Sequence, residues 1–420
     1  MKKALALVLA LTMVFALVAC GGGSSSGGNG SGSTLTIFNS KMEIQSQMEE
    51  MAAEYSKAKG VNVEVYYSSD TVAAHMATRY ASNEPYALAM VDAKDVYSLG
   101  AEHAVDLSGE KWVGDTTQAI SVDGKVLGFP VCVEARGVIY NADAIKNVTG
   151  KDFDPSTIKT TADFQGLIDQ LIAGGMAAPT GVMKEDWSLG AHFLAEVYEL
   201  QADPDAFIAG IKDGSIKLAD DKIFNAMMDT FDVLKNNNYA KDAAISAERE
   251  LTEQKLAEGE LAFMFGGNWD WDVINAYDYT ENMGMMPVPS ALSDANTKLV
   301  GGGSKYFYVD NGVSEELQQA AKDFLNWLVY EADGQDFLVN KCNLVPAFSN
   351  ITLAVGNPLG ASVKSYADKG ALVGNYNYLP DDHYAKVGAS FQKYLAGQID
   401  RAGFAQEVTD YWATAEVGAH

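Results

Sequence analysis

Residues 34–92 read TLTIFNSKMEIQSQMEEMAAEYSKAKGVNVEVYYSSDTVAAHMATRYASNEPYALAMVD, and the periodicities in this stretch decide the fold. Thr34–Phe38 predicts a strand. Lys41–Lys59 predicts a helix, because Met48, Met51, Ala52 and Tyr55 recur at helical spacing and Gly60 is a good terminator. Val61, Val63, Val65 and Tyr67 then alternate, which predicts a second strand. Ser69 or Asp70 can cap a helix running to about Ser82. Tyr86–Val91 is a short apolar strand ending in Asp92, and another helix starts at Ala93. This β-α-β-α-β order opens a parallel sheet with helices on both faces. Ligands of such open sheets sit beyond the carboxyl ends of strands. Asn39, Tyr67, Ser68 and Asp92 fall at those ends.

Downstream, Ala119–Val122 and Val126–Pro130 flank the turn signal Asp123-Gly124-Lys125. Val131–Tyr140 is again extended. From Thr160 helices are expected near 161–173, 188–201, 204–213, 220–237 and 247–258. Leu261–Phe265 predicts a strand running into Gly266-Gly267-Asn268-Trp269, and Met283–Val288 another. Lys298–Asp310 predicts one Gly-rich strand. Ser314 begins a helix over Glu315–Glu331, with acidic residues in its first turn. The chain beyond about Ile351 is expected to be helical and is rich in aromatic residues. There is no internal repeat.

Upstream lies a leader. Lys2 and Lys3 precede an apolar run from Ala4 to Ala19, broken only by Thr12. This is the charged start and short hydrophobic stretch of a secretory signal, too short for a comfortable membrane span. Leu17-Val18-Ala19-Cys20 resembles the bacterial lipobox, which implies lipid on Cys20 and removal of residues 1–19. Gly21–Ser33 is almost wholly Gly and Ser, a flexible tether of the kind a lipid anchor needs.

The remaining length exceeds one core and suits two lobes. With 30 basic and 56 acidic residues the net charge is −26, which argues against nucleic acid and anionic lipid as partners. Acidic surface of this kind is ordinarily a solvated face and does not imply a cationic ligand. Besides Cys20, only Cys132 and Cys342 occur. A disulfide is permitted in an exported protein, but two buried thiols are expected. The five His show no metal-ligand spacing, so no metal or other cofactor is expected.

Hydrolytic chemistry is not signalled. Beyond the Gly/Ser tether, no G-x-S-x-G elbow, H-E-x-x-H or phosphate loop is present. Abundant carboxylates leave a glycosidase pair open on composition alone. What stands out is aromatic residues beside polar ones at strand ends: Asp186-Trp187, Asn268-Trp269, Glu134 with Arg136, and Asp92. A sugar offers C–H patches and a ring of hydroxyls. Trp supplies a flat apolar platform, and Asp, Glu, Asn and Arg supply fixed hydrogen-bond partners. Each residue also has a plainer reading. Trp187 and Trp269 suit a core or rim equally well. Asp186, Asp92 and Asn268 suit helix caps, and Arg136 suits a structural pair with Glu134.

The chain from Thr34 to His420 resembles the extracellular solute-binding proteins of ABC sugar importers, the family-1 group that includes maltodextrin and raffinose binders. The likeness rests on the order and spacing of short phrases. These are Met90-Val91-Asp92 after Pro85, Gly124–Pro130 followed by Glu134 and Val138-Ile139-Tyr140-Asn141, Asp186–Gly190, Ala262–Trp269, Gly301-Gly302-Gly303-Ser304 and Gln392-Lys393-Tyr394. The resemblance implies a two-lobe α/β fold of the periplasmic-binding-protein type II. Its N-terminal lobe would be 34–132 plus 291–343, and its C-terminal lobe 133–290 plus 344–420. Hinge crossings would fall at Val131–Glu134, near Pro287–Ser290 and near Leu344–Pro346. Asp92 and Glu134 match acidic residues that bind sugar hydroxyls, Trp187 and Trp269 aromatic platforms, Asn268 a polar neighbour, and Gly302 with Ser304 the Gly-rich strand facing the cleft. Ala135-Arg136 departs from the aromatic residue many relatives carry there, so Arg136 suits an acidic, acetylated or heavily hydroxylated sugar. The resemblance thus implies a monomeric, lipid-anchored protein on the outer face of the bacterial membrane. It would capture a carbohydrate, catalyse nothing, and pass its ligand to ABC permease subunits. A non-sugar solute binder or a surface glycosidase is the alternative.

Overall fold

The computed structural model describes residues 33–290, 292, 297–380 and 382–417. The leader, Cys20 and the tether up to Gly32 lie outside the described residues. Strands β1 (Leu35–Asn39), β2 (Val63–Tyr67), β3 (Leu88–Asp92), β4 (Ile120–Val122) and β5 (Lys125–Pro130) are followed by β6 (Val133–Asn141), β7 (Thr180–Gly181) and β8 (Phe263–Gly267). Then come β9 (Met283–Met286), β10 (Leu299–Gly303), β11 (Lys305–Val309) and β12 (Leu372–Val373). They form two sheets, ordered β2-β1-β3-β11-β5-β4 and β12-β10-β6-β8-β7, with β9 also paired to β6.

The opening unit folds as its periodicity predicts. Ile37 of β1 sits in parallel register between Val65 and Leu88. The helix Gln45–Lys59 buries Met48, Met51, Ala52 and Tyr55 and ends on Gly60 at φ 72°, a left-handed conformation that suits glycine. The next helix, Val72–Ala81, is capped by Thr71, whose side chain accepts from the Ala74 N–H. The cap therefore falls just beyond Ser69 and Asp70. Thr71 directly precedes the first helical residue, which puts its hydroxyl within reach of the Ala74 amide.

The Gly-rich segment is two strands, not one. β10 runs antiparallel to β6 in the second sheet, and β11 runs antiparallel to β3 and β5 in the first. The chain changes sheet at Ser304. The glycines allow this because a Cβ on Gly301 would lie 2.4 Å from the Glu134 carbonyl oxygen. β10 thus keeps residues up to Gly303 with the second sheet. β5 leads into β6 through Val131 and Cys132, and the Val133 N–H donates to the Val345 carbonyl at 2.9 Å. Cys132 and Cys342 are free, buried thiols. Burial pushes the Cys132 thiol up to about 12. Its sulfur lies 3.4 Å from the Ser304 hydroxyl, so the first two crossings touch.

The second half is largely helical as expected, with two local departures. The helix expected over 188–201 begins as a wide π turn, Trp187–Phe193, and continues as α over Leu194–Glu199. Such turns are rare and cluster at functional sites. Gly190 and Gly388 bring this segment against the helix His383–Leu395. A Cβ on Gly388 would lie 2.5 Å from the Asp186 carbonyl, and one on Gly190 2.8 Å from that of Tyr384. Residues 374–380 are not helical, where a helical tail is expected. Among the described residues no helix is long and apolar enough to cross a membrane.

Candidate binding cleft between the two sheets

A cavity of about 330 Å³ opens where the crossings meet. Asp92 and Lys94 line it from the end of β3, and Glu134, Gly303 and Ser304 from the crossings. Arg136, His192, Glu199, Trp269 and the loop residues Asn375, Tyr376 and Asn377 line it from the side of the second sheet. The site thus uses the carboxyl ends of β3, β8 and β10, as open sheets do, together with the start of β6.

Its charges are paired. Asp92 meets the Lys305 ammonium at 2.6 Å. Glu134 meets the Lys41 ammonium at 2.8 Å, and Lys41 also holds Glu43 at 2.7 Å. Burial works to raise the Glu134 carboxyl, yet Lys41 and the Ser304 hydroxyl hold it below the usual range. Arg136, only 7% exposed, does not pair with Glu134. Its guanidinium donates to Glu199 and, at 3.0 Å, to the Asn375 side-chain oxygen, while Glu196 lies 3.5 Å from Nε. Residues 134 and 136 share one face of β6, but Lys41 reaches Glu134 from the other lobe.

Trp269 is the aromatic face of the cavity. A Cβ on Gly267 would lie 2.3 Å from the indole, so glycine there lets the ring fold back along the strand end. His192 packs on it with centroids 4.8 Å apart. Burial holds the His192 imidazole well below its ordinary range, reinforced by Arg136 and Arg249, so the ring is neutral at physiological pH. Among the described residues no cluster of His, Cys, Asp and Glu is arranged to hold a metal.

The other expected residues divide. Asp92, Glu134, Arg136, Trp269 and Ser304 come together at the cavity. Gly302 sits just behind it, where a Cβ would meet the Gln118 side-chain oxygen at 3.2 Å. Trp187 is not at the cavity wall. Its ring is covered by the Arg249 guanidinium at 4.5 Å and meets His192 edge-on. Asn268 is a brace, accepting from the Ala135 N–H at 2.9 Å. Asn39 is fully buried and bonds Lys41 and Gln45, both at 2.9 Å, in a local turn. Tyr67 is exposed at the end of edge strand β2 and away from the cavity. Strand ends point to a site, but β2 lies too far from the crossings to share it.

Sequence reasoning missed His192, Glu199 and the segment around Asn375-Tyr376-Asn377. The alternation of amides and tyrosines in Gly374–Pro380 was a usable signal, since such adaptable, rigid-ring composition recurs in binding loops.

Behind Arg136, burial pushes the Glu196 carboxyl up to about 8, opposed by Arg136 and reinforced by Glu199. The folded chain then keeps a proton that the unfolded chain releases above the ordinary value of 4.5. This contribution to stability is whole below that value and is lost as pH rises through about 8. Glu196→Gln is expected to flatten the decline between pH 5 and 8, measured by urea denaturation across that range. A variant whose profile keeps the parent's slope would show that Glu196 is ionised in the folded chain.

A model of the bacterial extracellular solute-binding protein family matches residues 50–370. The maltooligosaccharide ABC transporter solute-binding lipoprotein of Streptococcus pneumoniae is 26% identical over 324 residues, covering 72% of this chain and 70% of that protein. The maltodextrin-binding protein MdxE of Bacillus subtilis is 26% identical over 263 residues, 54% of each chain. Among solved structures, the solute-binding protein RafE in complex with raffinose superposes with a TM-score of 0.75 at 18% identity, over 90% of this chain and 98% of that one. A chitin oligosaccharide binding protein superposes at 0.71 and 19% identity, over 91% and 98%. At these identities the structural likeness establishes the two-lobe α/β fold.

Proposed function

The chain belongs to the bacterial extracellular solute-binding proteins, and from this premise we propose that it captures a carbohydrate, a short oligosaccharide, in its cleft and delivers it to an ABC importer. The observation that carries the reading is the cavity wall. The Trp269 indole stands among hydrogen-bonding groups from both sheets, and the charged ones are already neutralised by partners in the protein. Such a wall suits a neutral ligand with an apolar face and many hydroxyls. The relatives named for maltooligosaccharide and maltodextrin support the same class.

On this reading the lobes are 34–131 with 305–343, and 133–303 with the chain from 344 onward, hinged at the three crossings. Ligand that touches both lobes favours closure by its differential contact alone. Asp92, Glu134, Arg136, Trp269, Ser304, His192 and Asn375 form the site. No bond is made or broken. A glycosidase needs one carboxyl in the cleft held protonated near neutral pH, whereas Lys41 and Ser304 hold Glu134 below its usual range and the raised Glu196 is not among the residues lining the cavity. The chain acts as a monomer, held by lipid on Cys20 at the outer face of the membrane.

A thermal-shift panel tests the proposal. A ligand that binds only the folded state at one hundred times its Kd adds about 2.7 kcal/mol of stability. We expect neutral oligosaccharides of two to four units, the maltose and raffinose series among them, to raise the melting temperature. A panel in which only peptides or polyamines do so would overturn the sugar assignment.

A further inference from the structure

We propose that Tyr378 and Tyr97 form an interlobe clasp, in which the loop Gly374–Pro380 of the second lobe closes the cleft mouth by docking on the first-lobe helix Ala93–His103. The proposal rests on the binding reading above and adds the element that retains the ligand.

The loop joins β12 to the helix His383–Leu395 and has no regular secondary structure, so side chains must place it. Three hydrogen bonds do this. The Tyr376 N–H donates to Glu199 at 2.9 Å, the Tyr376 hydroxyl donates to Asp205 at 2.6 Å, and Arg136 donates to the Asn375 side chain at 3.0 Å. Glu199 also accepts from Arg136, so one carboxylate ties the loop backbone to β6. All these anchors belong to the second lobe.

From this fixed base, rings step outward. Tyr376 meets Tyr378 edge-on at 5.6 Å, and Tyr378 meets Tyr97 at 4.9 Å with the rings 52° apart. Tyr97 lies on the helix that starts immediately after Asp92, and it is half-buried, packed against the first-sheet core. The inner side of the loop is cavity wall, through Asn375, Tyr376 and Asn377. One short segment therefore touches the ligand space with one side and the opposite lobe with its tip. A second interlobe contact lies close by. The Gly303 N–H donates to Gln118 at 2.8 Å, and Gly302 separates Gln118 from Asn375. Opening the hinge must break the tyrosine contact, while ligand under the loop keeps Asn375 and Tyr376 in place. The contact thus adds to closure without adding to ligand recognition.

The test uses the full chain carrying Tyr378→Ala, Tyr97→Ala or both, each first melted to establish that it folds. Without ligand, small-angle X-ray scattering of either single variant should give a larger radius of gyration than the parent. Stopped-flow tryptophan fluorescence then follows the oligosaccharide with the largest melting shift. An aromatic pair of this kind corresponds to an off-rate about threefold to tenfold faster, with the on-rate unchanged. The double variant should be no faster than either single one, because both remove one contact. An unchanged radius in both single variants, or additive off-rates, overturns the clasp. Tyr97→Ala keeps the question answerable if Tyr378→Ala misfolds, since it acts from the opposite lobe. If no carbohydrate binds, the sugar assignment falls, and the scattering arm alone decides the clasp.

Discussion

Arg136→Met is expected to lower the unfolding free energy by about 3–5 kcal/mol, the cost of leaving a buried charge without its partner. Arg136, Glu196 and Glu199 are 7%, 2% and 7% exposed. Glu196 is held neutral well above its ordinary range, so one cation faces one charged carboxylate and the cluster is balanced near pH 7. Met fills much of the arginine's volume but supplies no donor. Among the described residues, Glu199 then keeps the Tyr376 N–H alone as a hydrogen-bond donor, and Asn375 loses its anchor. Urea denaturation at pH 7 measures the loss. A fall below about 1 kcal/mol would mean that water reaches these acids once the guanidinium is gone. The result also separates two roles for Arg136. As a ligand contact for anions it would change affinity and leave stability alone. The geometry assigns it instead to holding the wall of the cleft together.

Trp269→Ala is expected to weaken ligand binding by about 2 kcal/mol or more, some 30-fold in Kd, as for a central aromatic in a desolvated site. Titration calorimetry with the oligosaccharide that gives the largest melting shift measures it. Trp187→Ala is the matched control. Both tryptophans stand beside a polar residue at the mouth of a helix, yet only Trp269 faces the cavity, while Trp187 lies under Arg249. Removing Trp187 should cost stability and leave affinity within about threefold. Equal losses of affinity in the two variants would refute the single-platform arrangement.

The contrast between the tryptophans shows how far pattern reaches. Strand and helix positions were legible because each buries one face and so repeats at its own period. β1, β2, β3, the helix Gln45–Lys59 and the helix Glu315–Tyr330 all stand where alternation or helical spacing places them. Local chemistry also marked Asp92, Glu134 and Trp269, because each sits at a strand end or sheet crossing. Partner choice was not legible. Arg136 and Glu134 are two residues apart, but their partners lie 63 and 93 positions away. Asn39 carries the same local signal as Asp92 and is consumed by its own turn.

The sequence by itself determined that this chain opens with a parallel sheet flanked by helices, with polar and aromatic residues gathered at strand ends and turns. Periodicity and turn chemistry act over a few residues, so a single strand of text carries them. Only the tertiary structure decided where the Gly-rich segment changes sheet, that Glu134 answers to Lys41 and Arg136 to Glu199, and which tryptophan faces the cavity. Those outcomes are set by contacts between segments far apart in the chain. There a few ångströms decide whether a side chain meets a ligand, an ion-pair partner or the core.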